Sequence, residues 1–127
     1  MRKKKIFLAD DEADILKVLK RFLELDGFEV TTSSAGKDAL NKISSEIFDL
    51  LILDVMMPEI NGWEICKKTK ANPKTRNVPV IILTAKSQNV DAIMSYECGA
   101  DEYATKPFDY SELSVTIKNL LSKDETK

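Results

Sequence analysis

Two stretches of this chain are apolar without a break, Leu50-Leu51-Ile52-Leu53 and Val80-Ile81-Ile82-Leu83. Successive side chains of a β-strand point to opposite faces, so a strand with one wet face alternates between apolar and polar residues. An unbroken run needs cover on both faces, as in a parallel sheet with helices packed on each side. With their flanks, these runs predict strands over residues 48–53 and 80–84. Shorter β-like runs predict three more, over 5–9, 28–32 and 102–105.

Helical spacing fills the intervals. Ile15, Val18, Leu19, Phe22 and Leu23 recur on one face, and Gly27 stands where a C-terminal cap belongs. Ala39, Leu40 and Ile43 make a shorter face. Asn61, with Glu64 three residues on, opens a third helix. Val90, Ile93 and Met94 form a fourth pattern, ended by Gly99. Asp109 and Glu112 cap a fifth, with Leu113, Ile117, Leu120 and Leu121 as its inner residues. The residues after Leu121 read as a frayed tail. Strands and helices in strict alternation, joined by right-handed crossovers, give an α/β fold: one open sheet with helices on both faces. A chain of 127 residues holds one such domain, over 1–127, and not two.

Sheets of this kind bind ligands beyond the carboxyl ends of their strands. Asp10, Asp11, Asp54, Thr84 and Lys106 stand at or just past the ends of four different runs. Taken singly, each has a bland reading. Asp11 and Glu12 suit the first turn of a helix, where the dipole favours acids. Thr84 is a strand hydroxyl, Lys106 a solvated lysine, Pro107 a helix-start residue. The joint order is what points to a site: acid pair, Asp, Thr, Lys-Pro, each after its own strand.

Three carboxylates cannot all stay ionised side by side without a neutralising partner. Lys106 supplies one positive charge, and a divalent cation would supply more. The chain has no histidine, which excludes His-based zinc sites and Ser-His or Cys-His catalysis within these residues. Its two cysteines, Cys66 and Cys98, are far apart in sequence and read as separate, reduced, half-buried helix residues. Oxygen-only ligands favour Mg²⁺. An acid cluster beside a lysine and a threonine hydroxyl suits phosphoryl transfer. Asp54 ends the most apolar run and is the candidate nucleophile, because a carboxylate can form an aspartyl phosphate. Asp10 and Asp11 are better placed as metal ligands.

These residues, together with LILDVMMPEINGWE around Asp54, VIILTAK around Thr84 and GADEYATKPF around Tyr103 and Lys106, resemble the receiver domain of two-component response regulators over essentially the whole chain. The resemblance implies a flavodoxin-like doubly wound sheet of five parallel strands in the order 2-1-3-4-5, known from the chemotaxis receiver. It implies that Asp54 takes a phosphoryl group from a sensor histidine kinase or phosphotransfer protein. Asp11, Asp54 and the Met56 backbone carbonyl would ligate Mg²⁺, with Asp10 acting mainly through water. Lys106 would pair with one phosphoryl oxygen and Thr84 with another, while Tyr103 turns inward behind it. The Lys106-Pro107 bond is expected to be cis. Such a domain is no conventional enzyme, yet it catalyses its own Mg²⁺-dependent phosphorylation and dephosphorylation. Its helix 4, strand 5 and helix 5 would form the face that a downstream protein reads.

Other readings fit less well. A dehalogenase-type phosphatase needs an acid two residues beyond its nucleophile, where this chain has Met56. A flavin site needs a Gly- and hydroxyl-rich loop after the first strand, where this chain is acidic. LILD resembles the aspartate strand of P-loop NTPases, but no GxxxxGK[ST] loop exists. A pseudo-receiver would have lost an acid or the lysine. The basic stretches at 2–5 and 67–76 lack interleaved aromatics and read as solvated faces, and a net charge of −2 gives no pull toward nucleic acid or membrane. The expected setting is cytoplasmic. Met1 and the polar tail suggest a stand-alone receiver. In winged-helix regulators, an activated dimer pairs basic residues with acids such as Asp101 and Glu97. Here the basic positions are Ala92 and Thr116, so a mainly monomeric protein is expected. Met56, with Lys86 crowding the approach of water, leads to an expectation of slow dephosphorylation.

Overall fold

The central strands are buried on both sides, and their alternation decides which helices lie where. The computed structural model describes residues 3–85 and 97–125. The elements in chain order are β1 (Lys5–Ala9), α1 (Ala13–Leu25), β2 (Glu29–Ser33), α2 (Gly36–Ser45), β3 (Leu50–Asp54), α3 (Gly62–Ala71), β4 (Val80–Ala85), β5 (Glu102–Lys106) and α4 (Tyr110–Glu125). All neighbouring strands pair in parallel, in the order β2-β1-β3-β4-β5. This α4 is the fifth helical pattern of the sequence. The fourth, with Val90, Ile93 and Met94, lies outside the described residues, as do Lys86 and Ala92.

Ile6, Leu8, Leu50, Ile52, Ile81 and Leu83 pack on one side of the sheet with Leu19 and Leu23 of α1 and Leu113 and Ile117 of α4. Phe7, Ala9, Leu51, Leu53, Val80 and Ile82 pack on the other, with Ala39 and Ile43 of α2 and Ile65 and Cys66 of α3. Each fully buried aliphatic side chain stabilises by about 2 kcal/mol. The middle of the sheet is therefore the rigid part, and its strand ends are firm points from which to hang a site.

Several boundaries differ from expectation for local reasons. Strand β2 starts one residue late because the Phe28 N–H turns back to the Leu23 carbonyl (3.1 Å), closing the end of α1 around Gly27, whose φ is +96°. Strand β3 starts at Leu50. Phe48 packs instead on Phe7, with ring centroids 5.2 Å apart, and Asp49 accepts from the Lys5 backbone N–H at 2.7 Å. The core face of α1 is narrower than its period predicts. Leu19 and Leu23 are buried, but Val18 and Phe22 are exposed, Phe22 stacking on Tyr110 of α4 at 4.9 Å. The helix after Leu121 continues to Glu125 rather than fraying, since extending a formed helix through Lys and Glu costs little. Asn61 does cap α3, its side chain accepting from the Glu64 N–H at 2.9 Å.

Candidate functional site

The parallel register brings Asp10, Asp54, Thr84 and Lys106 to one edge of the sheet. The Asp10 N–H donates to the Ser33 carbonyl at 3.1 Å, which extends the β1–β2 ladder one step past Ala9 and fixes the backbone. Asp10 is fully buried, and its Oδ1 accepts from the Glu12 N–H at 2.9 Å, turning the chain toward α1. Asp54 is the last residue of β3 and only 4% exposed. After it the chain must turn sharply, and the Gly62 N–H bonds back to the Val55 carbonyl at 3.0 Å. A side-chain carbon at Gly62 would collide with the Asp54 carbonyl oxygen, so only glycine lets α3 begin this close to the acid. Thr84 is buried near the end of β4.

Lys106 ends β5, and its Nζ lies 2.8 Å from Asp10 Oδ2, 3.0 Å from Asp54 Oδ1 and 3.1 Å from Glu12 Oε1. The following bond to Pro107 is cis. Burial works against the ammonium, but its contacts with Asp10 and Asp54 outweigh burial and hold its pKa above the usual lysine range. Asp54 goes the other way. Burial raises its pKa from 3.8 to about 6; Lys106 opposes this, and the nearby Asp10 charge adds to it.

Two oxygens in this cluster are short of donors. Among the described residues Asp54 Oδ2 is buried with no hydrogen-bond partner, and Asp10 Oδ2 has only its ion pair with Lys106, at 2.8 Å. One carboxylate oxygen from each of Asp10, Asp11 and Glu12 lies within 4.8 Å of the others. A hard cation fits this donor set, because it would supply the positive charge that one lysine does not.

Met56 lies two residues past Asp54 with its side chain exposed, leaving its backbone carbonyl as the group it can offer. Tyr103 is half exposed on β5, so it is not in the inward position in this structure. Glu12 joins Lys106 although its sequence position suggests only a helix-start acid; the sole signal was its contiguity with Asp10 and Asp11. Gly62 carries no chemistry of its own, and only the NG turn after LILD hinted at it. Cys66 and Cys98, read as unrelated and half-buried, are both buried and in contact.

Residues 6–118 match the response regulator receiver domain family, and the chain belongs to it. It is 42% identical over 118 residues to the response regulator SaeR of Staphylococcus aureus (strain USA300), an alignment covering 93% of this chain and 50% of that protein. The chain thus spans about half the length of the curated relatives it matches. A response regulator from Chloroflexus aurantiacus J-10-fl has a similar structure, with a TM-score of 0.92 and 33% identity over 95% of this chain and 99% of that one. So does a CheY-like receiver domain protein from Methanospirillum hungatei JF-1, with a TM-score of 0.92 and 30% identity over 98% of each chain. The chain is a receiver domain of the two-component response regulators, a class that works between a phosphodonor kinase and a downstream target. Among the described residues no helix is long and apolar enough to cross a membrane.

Proposed function

We propose that Asp54 is the phosphoacceptor and that its donor is the phosphohistidine of a sensor kinase or phosphotransfer protein. The observation that supports this most is the state of the carboxylate: Oδ1 is held by Lys106 at 3.0 Å, and the buried Oδ2 has no donor among the described residues. In the transfer, an Asp54 oxygen bonds to phosphorus while the donor's nitrogen–phosphorus bond breaks, its electron pair returning to the imidazole. Lys106, charged through the neutral range, pairs with a phosphoryl oxygen, and the Thr84 hydroxyl donates to another. Asp10, Asp11, Asp54 and the Met56 carbonyl would hold Mg²⁺, Asp10 mainly through water, and a bound ion would supply positive charge beside the phosphoryl group. The same residues serve the domain's own dephosphorylation. Incubation with acetyl phosphate and Mg²⁺, followed by intact mass, is expected to show one added phosphoryl group in the wild type and none in Asp54→Asn. An undiminished gain in the variant would overturn the assignment.

The phosphorylated domain, in this reading, remains mainly monomeric in the cytoplasm and offers the β5–α4 face to another protein. A cleft of about 460 Å³ on that face is lined, among the described residues, by Glu102, Tyr103, Phe108, Asp109, Glu112 and Thr116 with others, three of them acids and none lysine or arginine. Asp101, the acid expected to pair across a dimer, is engaged within the chain by Lys70 at 2.9 Å and by the Val80 N–H at 2.8 Å. Two such faces repel each other, whereas a basic partner complements one. Tyr103, half exposed here, turns inward when Thr84 is drawn to the phosphoryl group, which reshapes this face by population shift. Light scattering after size exclusion is expected to give monomer mass with and without beryllofluoride; a shift to dimer mass refutes this part of the reading.

A further inference from the structure

The fold brings together two thiols that nothing in the phosphoryl chemistry uses. Cys66 lies on α3, and Cys98 lies on the turn that leads toward β5. They are the only cysteines of the chain and stand 32 positions apart, yet Cys66 Sγ is 3.4 Å from the Cys98 carbonyl oxygen. Cys66 is fully buried. Cys98 is 6% exposed and forms part of the wall of a cleft of about 390 Å³ shared with Asn61, Trp63, Glu64, Lys67 and Glu97. Cys98 therefore borders a cleft, and Cys66 lies behind it.

We propose that Cys66 and Cys98 are a reversible dithiol–disulfide couple, oxidised by a hydroperoxide, that ties α3 to the turn before β5. The roles follow from the surroundings. The Cys66 thiol donates to the Cys98 carbonyl oxygen and retains its proton, which the neighbouring Cys98 sulfur and burial both favour. Cys98 sits beside the Cys66 thiol, accepts from the Ala100 N–H and lies near the Lys70 ammonium, which together lower its pKa despite burial. A lowered pKa raises the share of thiolate, the form that attacks. The Cys98 thiolate attacks a peroxide oxygen, the O–O bond breaks, and the alkoxide leaves as an alcohol on taking a proton, giving a sulfenic acid. Cys66 sulfur then attacks Cys98 sulfur. The S–O bond breaks, and hydroxide takes the Cys66 proton as water. In total, two thiols lose two protons and two electrons, and the hydroperoxide is reduced to an alcohol and water.

The bond has a place to act. Cys98 stands on the turn just before β5, the strand of Tyr103 and Lys106, and the helix bearing Cys66 begins at Gly62 against the Asp54 backbone. Oxidation would fasten that turn to the helix that begins beside the acid.

The test is oxidation of the reduced full chain with a few equivalents of hydrogen peroxide, then denaturing alkylation, intact mass and a non-reducing peptide map. The expected product is a monomer lighter by about 2 Da, the two hydrogens of disulfide formation. It carries a Cys66–Cys98 linked peptide and is restored by dithiothreitol. The link should accumulate faster in the folded chain than in chain unfolded in urea, since folding supplies the contact. Cys66→Ser should instead leave a sulfenic acid at Cys98 that dimedone traps. The proposal is overturned if the wild type keeps both thiols, links between chains, goes to sulfinic acid at Cys98 with no linked peptide, or links no faster folded than unfolded. The wild-type measurements decide the matter even where a variant at buried Cys66 does not fold.

Discussion

Asp26, where α1 meets α4, accepts hydrogen bonds from Tyr110 Oη and Ser114 Oγ, both at 3.0 Å, and lies 3.3 Å from Lys118 Nζ. Burial works against its charge, but these donors from three successive turns of α4 outweigh burial and hold its pKa below the ordinary value of 3.8. Asp54 also has a lysine, at 3.0 Å, yet its pKa is pushed up to about 6. The lysine is not what separates them. Asp54 is more deeply buried, has other acids beside it and has one oxygen without a donor. A carboxylate that holds two helices together is fully supplied with donors. One that, in the proposed function, would receive a charged group and a cation is left short of them.

The largest expected effect follows from that shortage. In EDTA at pH 7.5, Asp54→Asn should raise stability by about 3 kcal/mol, the free energy that corresponds to a carboxyl pKa pushed from 3.8 to about 6. The sign is fixed by protonation. A folded-state pKa above 3.8 means that the folded chain binds the proton more tightly than the unfolded one. The wild type therefore loses stability as pH rises from about 4 to about 6, and the gain in the variant is complete above that window and gone below it. Urea unfolding at several pH values measures this. A variant no more stable than wild type at pH 7.5 would erase the distinction between the two aspartates.

Asp26→Asn should move the other way. Its three donors lose an ionised acceptor at a partly solvated site, so the variant should be destabilised by about 1 kcal/mol at neutral pH. A lowered folded-state pKa gives stability that is present above 3.8 and lost as pH falls through the folded value, so this loss should shrink in acid. Equal stability of variant and wild type at neutral pH would show that the α1–α4 contact rests on apolar packing, such as Phe22 on Tyr110, and not on Asp26.

The sequence showed more of one aspartate than of the other. LILD placed Asp54 because a continuous apolar run ending in an acid has few explanations, and strand ends in an alternating β/α chain meet at one edge. The central strands were legible for the same reason. The boundaries of β2 and β3 were not, because they depend on a turn that returns Phe28 to Leu23 and on Phe48 packing against Phe7. Asp26 was invisible, since its partners lie 84 to 92 positions away on a helix whose crossing of α1 no local pattern sets. Glu12 was read as a helix-start acid because its pairing depends on where Lys106 reaches. Cys66 and Cys98 were read apart because sequence distance says nothing of a contact made through the sheet's helix layer.

The smallest effect tests whether the shortage at Asp54 is one that a cation can relieve. Binding to the folded state alone stabilises by RT ln(1 + [L]/Kd), so Mg²⁺ at three times its dissociation constant should add about 0.8 kcal/mol. The gain should be carried by the Asp10, Asp11 and Asp54 cluster and be absent in Asp11→Asn. That variant should also melt slightly higher than wild type without Mg²⁺, by a few tenths of a kcal/mol, because Asp11 is exposed and its repulsion from neighbouring acids is screened. Asp26→Asn supplies the control: although less stable, it should keep the full response to Mg²⁺, since its carboxylate already has its donors. Thermal melts of the three proteins across a Mg²⁺ titration are enough. A wild type indifferent to Mg²⁺ would mean that the buried oxygens of Asp10 and Asp54 are a structural cost with no ligand to offset it, as in a receiver that is never phosphorylated. A response lost in Asp26→Asn but kept in Asp11→Asn would put the cation at the wrong aspartate altogether.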